Sequence, residues 1–403
     1  MKTGNAVRAV ETEEELRLAN DLMAKSQAAD YFSAMHWLET CGASYPGYVR
    51  EHTRIALRDG EVAGALRLNT ETVRLGEARL KTGGIGWVST AFRHRHKGVC
   101  TALIQDAFRY LERHKYHVAM LFGIPFFYHR FGFTTTLADY AITMDAAEAA
   151  AAPAQLRVRR AKPGDIQAVQ TIHNANDTAT ACSLLRTGAH ITNKWDRCKT
   201  LRVLTDERGK VEAYFFARSG EGGLHVEEVG VADPAVCPDV LAACARAALD
   251  ASAGRLRFLV PPSHAFAHFL IQYKSTHEMS VVRDAGGMMA FVDIGETFES
   301  MIPEWESRLA RSAARSLRTE LTLVVDDACY RVRANRGAVD IAGGSGKNKL
   351  SLEPAELMHL LTGYRHIEDV LTPHKGVLAP DARAVLATVF PKRSPYVWPF
   401  DRF

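Results

Sequence analysis

Apolar positions along the 403-residue chain fall into short alternating runs and helix-spaced sets, and the same order of runs occurs twice. Thr12 and Glu15 form a capping box ahead of Leu16, Leu18, Leu22 and Met23, which predicts an amphipathic helix. Thr53–Arg58 and Val62–Leu68 flank Asp59-Gly60, a dipeptide suited to a tight primed turn, and so predict a β-hairpin with more strand through Trp87. Between helix and hairpin, Met35-His36-Trp37 and Tyr45-Pro46-Gly47-Tyr48 read as an irregular aromatic segment, either a packed loop or the roof of a pocket. Past Val88 the apolar run stops. Val99, Ala102, Leu103, Ala107, Tyr110 and Leu111 then mark one face of a helix, and His117–Gly123 reads as a strand.

The alanine-rich stretch Asp145–Ala154, closed by Pro153, is the best boundary in the chain. After it the outline repeats. A helix carries Ile166, Val169 and Ile172, and a hairpin turns at Asp206–Gly209, with Gly209 lying 149 residues after Gly60. A strand at His225–Val231, a helix near Val240–Ala251 and the strand Leu256–Val260 complete the copy. From about Gly287 the pattern changes to a strand, the helix Phe298–Leu309, antiparallel strands at 321–325, 330–334 and 338–341, and a helix over 353–363. Domains over 1–145, 155–286 and 287–403 follow, in a mixed α/β (α+β) chain. Gly343–Asn348 lacks the Gly and Ser/Thr that a nucleotide P-loop requires and reads as a flexible hairpin tip.

Composition narrows the function classes. With 47% apolar and 24% charged residues the chain is globular, and a formal charge of +4 over this length does not point to nucleic acid. It contains no 18-residue apolar run for a membrane span, and no apolar signal core follows Met1-Lys2-Thr3-Gly4-Asn5, so a cytoplasmic location is expected. Seven scattered cysteines without a Cys-x-x-Cys pair predict free thiols and no metal site.

The candidate chemistry lies between Gly84 and Phe133. Arg93, Arg95 and Lys97 surround a turn that ends at Gly98 and opens a helix, where free peptide N–H groups and the helix dipole favour an anion such as a pyrophosphate. A solvated basic loop capping an ordinary helix would read the same. Tyr128 follows a strand end within an aromatic run and is either a packing residue or a proton donor. In the second copy, Ala232–Pro238 has neither basic residues nor glycine, and its prolines remove donors, so no cofactor is expected there. The aromatic tail Pro395–Phe403 predicts a docked terminus, which would hold the α-carboxylate of Phe403 at a fixed place.

Taken together, Arg95-x-x-Gly98-x-Cys100 and Tyr128-His129-Arg130-Phe131-Gly132-Phe133 resemble the acetyl-CoA site of the GCN5-related N-acetyltransferase superfamily. Phe92 stands where proline is common, and Cys100 where Gly or Ala is usual. Two such halves, only the first with the motif, and a chain ending in Phe resemble the Eis (enhanced intracellular survival) family over essentially the whole length. The resemblance implies two tandem acetyltransferase folds followed by a sterol-carrier-protein-like α+β domain, and a homohexamer. It also implies that acetyl-CoA is held by Val88, Ser89, Thr90, Arg95, His96, Lys97, Gly98, Val99, Cys100 and Thr101, with Gly123 and Ile124 at the pantetheine end. Tyr128 is implied as general acid and the Phe403 carboxylate as general base, acting on a small-molecule amine, an aminoglycoside or a lysine. A non-catalytic carrier of apolar ligands is the alternative.

Overall fold

A computed structural model describes residues 5–27 and 29–403; the first four residues of the N-terminal stretch read above lie outside it. The described residues build three sheets. The first has eight strands, in the order Ala6–Ala9, Thr53–Arg58, Glu61–Leu75, Ala78–Thr90, Val118–Gly123, Gly286–Phe291 and Thr134–Leu137, with Ser183–Leu184 added beside Glu61–Leu75. Its hairpin turns at Asp59 and Gly60, both at positive φ (54° and 81°), as the dipeptide predicts. The N-terminal helix, Glu13–Gln27, begins in the expected box, with the Glu15 N–H donating to Thr12 Oγ1 and the Glu15 carboxylate accepting from the Glu11 and Thr12 N–H groups.

One feature of this sheet creates the site. Ala78–Thr90 pairs in parallel with Val118–Gly123 only at Thr82–Gly84 opposite Val118–Met120. Beyond Gly84 the two strands part, so the backbone from Ile85 to Thr90 has no strand partner on that side. Helix Val99–Arg113 packs its Val99, Leu103, Ala107 and Leu111 face on the sheet and carries the basic turn to the open end of this cleft.

The second sheet has seven strands, ordered Thr276–Ser280, Asp139–Asp145, Arg255–Phe258, Gly223–Val231, Val211–Gly220, Leu201–Thr205 and Arg157–Arg160. Sheet membership therefore cuts across the sequential boundaries at 145 and 287. Asp139–Asp145 pairs with Arg255–Phe258 in the second sheet, while Gly286–Phe291 crosses back to lie between Val118–Gly123 and Thr134–Leu137 in the first. The alanine-rich stretch is not a linker: Ala146 and Ala149 are buried in the second core.

The third sheet orders Ala338–Gly343, Ala328–Asn335, Arg318–Val325 and Lys349–Leu352, the last pair parallel. Gly344–Asn348 is thus a crossover rather than a hairpin tip, tied down by the Gly346 N–H donating to Thr322 Oγ1. Helices Ile294–Ala310, Pro354–Thr362 and Pro380–Val389 cover this sheet. Their core, with Phe298, Trp305 and Phe390, is continuous with Val73, Leu80 and Met120 of the first sheet.

The tail is docked, as its composition predicts. The Tyr396 hydroxyl donates to the Leu259 carbonyl (2.8 Å), and the Trp398 indole donates to Asp177 (2.9 Å). Asp401 is fully buried against the Arg186 guanidinium, which also makes a fork on Glu228. His190 Nε2 lies 3.0 Å from Asp401, its Nδ1 lies 3.1 Å from the Tyr45 hydroxyl, and that hydroxyl donates to Glu71 in the first sheet. A buried polar chain therefore links both sheets to the residue two positions before the terminus.

Candidate active site

The basic turn sits where the sequence places it. His96 and Gly98 both adopt positive φ (60° and 74°), turning the chain so that Gly98 enters the Val99–Arg113 helix with no side-chain cap on the first N–H groups. A groove of about 510 Å³ runs from this turn to the strand end, lined by Val88, Thr90, Arg95, His96, Gly98, Val99, Cys100, Thr101, Ile124 and Tyr128. Three expected residues, Ser89, Lys97 and Gly123, are not in this lining. Ser89 is buried, with its hydroxyl donating to the Trp87 carbonyl, and Lys97 is exposed, with its carbonyl accepting from Asn5. Gly123 is a support: a Cβ there would meet the Tyr128 ring at 2.5 Å, so glycine lets the phenol lie on the strand.

His94 and Arg130 also line the groove without having been expected to. Arg130 stacks over Phe127 at 4.1 Å, held by the aromatic run that carries Tyr128. The Val88 carbonyl accepts from the Gln27 amide (2.5 Å).

A second cavity, of about 610 Å³, lies on the other side of Tyr128. Val88, Ile124 and Tyr128 line both, so the two meet at one wall. Here the terminus enters the parted strands. The Phe403 ring lies over Gly84, where a Cβ would meet it at 2.5 Å, and its carboxyl carbon would lie 3.3 Å from a Cβ on Gly86. The ring stands edge-on to Phe122 at 5.9 Å. Asn69, 7% exposed, presents an unpartnered Nδ2 that would lie 3.5 Å from the same Gly86 position. Trp37 belongs to a regular helix, Tyr31–Glu39, capped by Asp30, rather than to an irregular loop, and it lines this cavity stacked on Trp87.

Burial sets the electrostatics. It raises the Tyr128 phenol well above its ordinary value, with the Cys100 thiol adding to the effect, so the phenol keeps its proton at neutral pH. It pushes the Cys100 thiol up to about 11, against the opposing charge of Arg130, so Cys100 is no thiolate nucleophile. No group of three or more His, Cys, Asp or Glu residues suited to a metal ion occurs among the described residues.

Residues 7–136, about the span of the first sheet unit, match the acetyltransferase (GNAT) domain family. No curated protein matches the chain by sequence. The fold over nearly the whole length is shared with solved structures. A GCN5-related N-acetyltransferase from Anabaena variabilis has a TM-score of 0.77 at 15% identity, covering 99% of this chain and all of that one. One from Kribbella flavida has a TM-score of 0.73 at 18% identity, covering 99% of each chain. Eis1 from Mycobacterium abscessus has a TM-score of 0.65 at 14% identity, covering 99% of this chain and all of that one. Residues 7–136 thus carry a GNAT acetyltransferase domain, and the chain as a whole shares the fold of these GCN5-related N-acetyltransferases and of Eis1.

Proposed function

We propose that the chain transfers an acetyl group from acetyl-CoA to an amine by direct attack, with Tyr128 as general acid and the terminal carboxylate of Phe403 as general base. The observation that carries this reading is that the basic-turn groove and the cavity holding Phe403 share Tyr128 as a common wall. The residues fit the cosubstrate. The uncapped N–H groups after Gly98, with Arg95 and Arg130, suit a pyrophosphate, and the unpaired strand edge around Val88 suits a peptide-like pantetheine arm. When bound, acetyl-CoA supplies the activated thioester. An ammonium must lose a proton before its nitrogen can attack, and the Phe403 carboxylate, held over Gly86, can take it. The neutral Tyr128 phenol can give its proton to the departing sulfur. The Tyr128 ring packs on Gly123 and the Phe403 ring on Gly84, so the two strands orient both groups.

Two tandem acetyltransferase folds and a sterol-carrier-like third unit form part of the same reading. The second sheet repeats the strand–turn–helix order, and the third unit has a four-stranded sheet covered by helices. The carrier reading gains no comparable support, because Phe298, Trp305 and Phe390 fill the third unit's interior. The exposed strand Thr276–Ser280 at the free edge of the second sheet, with Met279, Val281 and Val282 in solvent, offers a surface through which the homohexamer of this reading could assemble; light scattering of the intact protein tests the number of copies.

The test of the chemistry is thiol release from acetyl-CoA with a panel of amines, for the native chain, Tyr128→Phe, and a version extended past Phe403. Both variants are expected to bind coenzyme A normally and to lose on the order of 10²-fold or more in kcat. An extended chain as active as the native one removes Phe403 from the mechanism.

A further inference from the structure

The cavity that must receive the amine has a composition that selects among amines. Resting on the acetyl-transfer reading above, we propose that the acceptor is an arylalkylamine: one primary amine, singly charged, on a flat aromatic body.

The walls come first. Trp37 and Trp87 stack at 5.5 Å and 23° along one side, each half-buried, and Leu121 and Phe122 extend the apolar surface toward Phe403. Trp87 reaches this position through a bulge. The register with the neighbouring strand slips between Ala65 and Arg67, and Trp87 takes φ 57°, a left-handed conformation that few bulky residues adopt. A backbone distortion therefore turns a second indole toward the first, beside the wall shared with the cofactor groove. A volume of about 610 Å³ accommodates an aryl group with a short alkylamine arm.

Charge decides the rest. Among the described residues lining the cavity, Asp30 is the one side-chain carboxylate and Arg402 the one side-chain cation. Asp30 already accepts from the Phe32 and Ser33 N–H groups (3.1 and 3.3 Å) and from the Ser33 hydroxyl (2.5 Å), as the cap of its helix. Arg402 lies over Phe122 at 5.0 Å, with Nε donating to the Val397 carbonyl (3.2 Å) and Nη2 to Asp139 (2.5 Å). Asp401, next to Arg402 in the chain, points the other way and is consumed by Arg186 and His190. The terminal carboxylate is therefore the one uncommitted anion facing a bound amine. A polycation would bring several ammonium groups against this anion, the already engaged Asp30 and a guanidinium, too few anions to pair them all, and ammonium groups held in the cavity without a partner are unfavourable. A single ammonium at Phe403 with its aromatic body against Trp37 and Trp87 leaves no charge of the amine unpaired.

The experiment compares kcat/KM for 2-phenylethylamine and tryptamine with that for spermine, an aminoglycoside and a lysine peptide, together with calorimetric binding of coenzyme A. The arylalkylamines are expected to exceed the other acceptors by at least about tenfold. Trp87→Ala and, separately, Trp37→Leu are expected to raise KM for tryptamine about tenfold without changing coenzyme A affinity. Equal or better turnover of a polycation or the peptide overturns the substrate class while acetyl transfer stands. Coenzyme A binding without turnover of either arylalkylamine also overturns it. Absence of both coenzyme A binding and turnover overturns the acetyl-transfer reading itself.

Discussion

The first and second sheet units use one strand–turn–helix plan, and they differ in what occupies the turn and the gap between strands. In the first, Gly98 enters its helix at positive φ and leaves the first N–H groups without a side-chain cap. In the second, the helix Cys237–Asp250 also opens without a side-chain cap, but it is entered through the turn Pro234–Val236, where the Asp233 carboxylate accepts from the Ala235 N–H (2.8 Å) and Pro234 and Pro238 offer no donor. A capped, proline-bearing turn thus precedes the second helix where the first has a basic glycine turn. The gaps differ in the same way. Parallel pairing in the second unit ends at Val226 and Phe258, and the tail closes the opening, with the Tyr396 hydroxyl on the next carbonyl, Leu259. In the first unit the tail brings Phe403 to the gap and leaves a cavity beside it. One unit anchors the tail and the other receives its end.

The largest way to break this division is Arg186→Met. It strands the carboxylates of Glu228 and Asp401, each fully buried. A loss of about 3–5 kcal/mol in denaturant unfolding is expected, with loss of turnover as the tail is released. Next comes pH. Burial raises the Glu71 carboxyl to about 7, against the nearby Lys194 charge. Because the folded value lies above the unfolded one, the contribution of Glu71 is complete below about pH 4.5 and lost as pH rises through 7. Glu71→Gln should therefore flatten the decline between those values, an effect on the order of 2–3 kcal/mol in melts across pH.

Gly84→Ala sharpens the contrast inside the first unit. Its Cβ would meet the Phe403 ring at 2.5 Å and displace the carboxylate, so kcat should fall on the order of 10²-fold at unchanged coenzyme A affinity. The smallest pair addresses the turns. Arg95→Ala should weaken coenzyme A binding roughly tenfold in calorimetry. Asp233→Ala should cost about 1 kcal/mol of stability through the lost cap and leave that binding unchanged.

The parts legible in the sequence are those with local causes. The Thr12 box, the Asp59-Gly60 turn and the helix after Gly98 each follow from a few adjacent residues, and each forms as read. The docked tail was legible too, because a run of aromatic residues is costly to leave in water. The strand exchange was not. Gly286–Phe291 has the same apolar alternation whichever sheet it joins, and its partners lie some 150 residues earlier. Arg186 gives no local signal of its pairing with Asp401, 215 residues on. Two misses had readable causes. Asp30 followed by Ser33 caps the helix that carries Trp37. Pro380 ahead of Ala382, Val385, Leu386 and Val389 is a helix start with a helix-spaced apolar face.

The most direct measurement is amide hydrogen exchange with and without coenzyme A, because it reads both turns in one sample. Protection is predicted at 95–101, where uncapped N–H groups follow Gly98, and none at 233–240, where Asp233 and the prolines hold the equivalent place. Protection at the second turn, or none at the first, would contradict the division of labour between the two units.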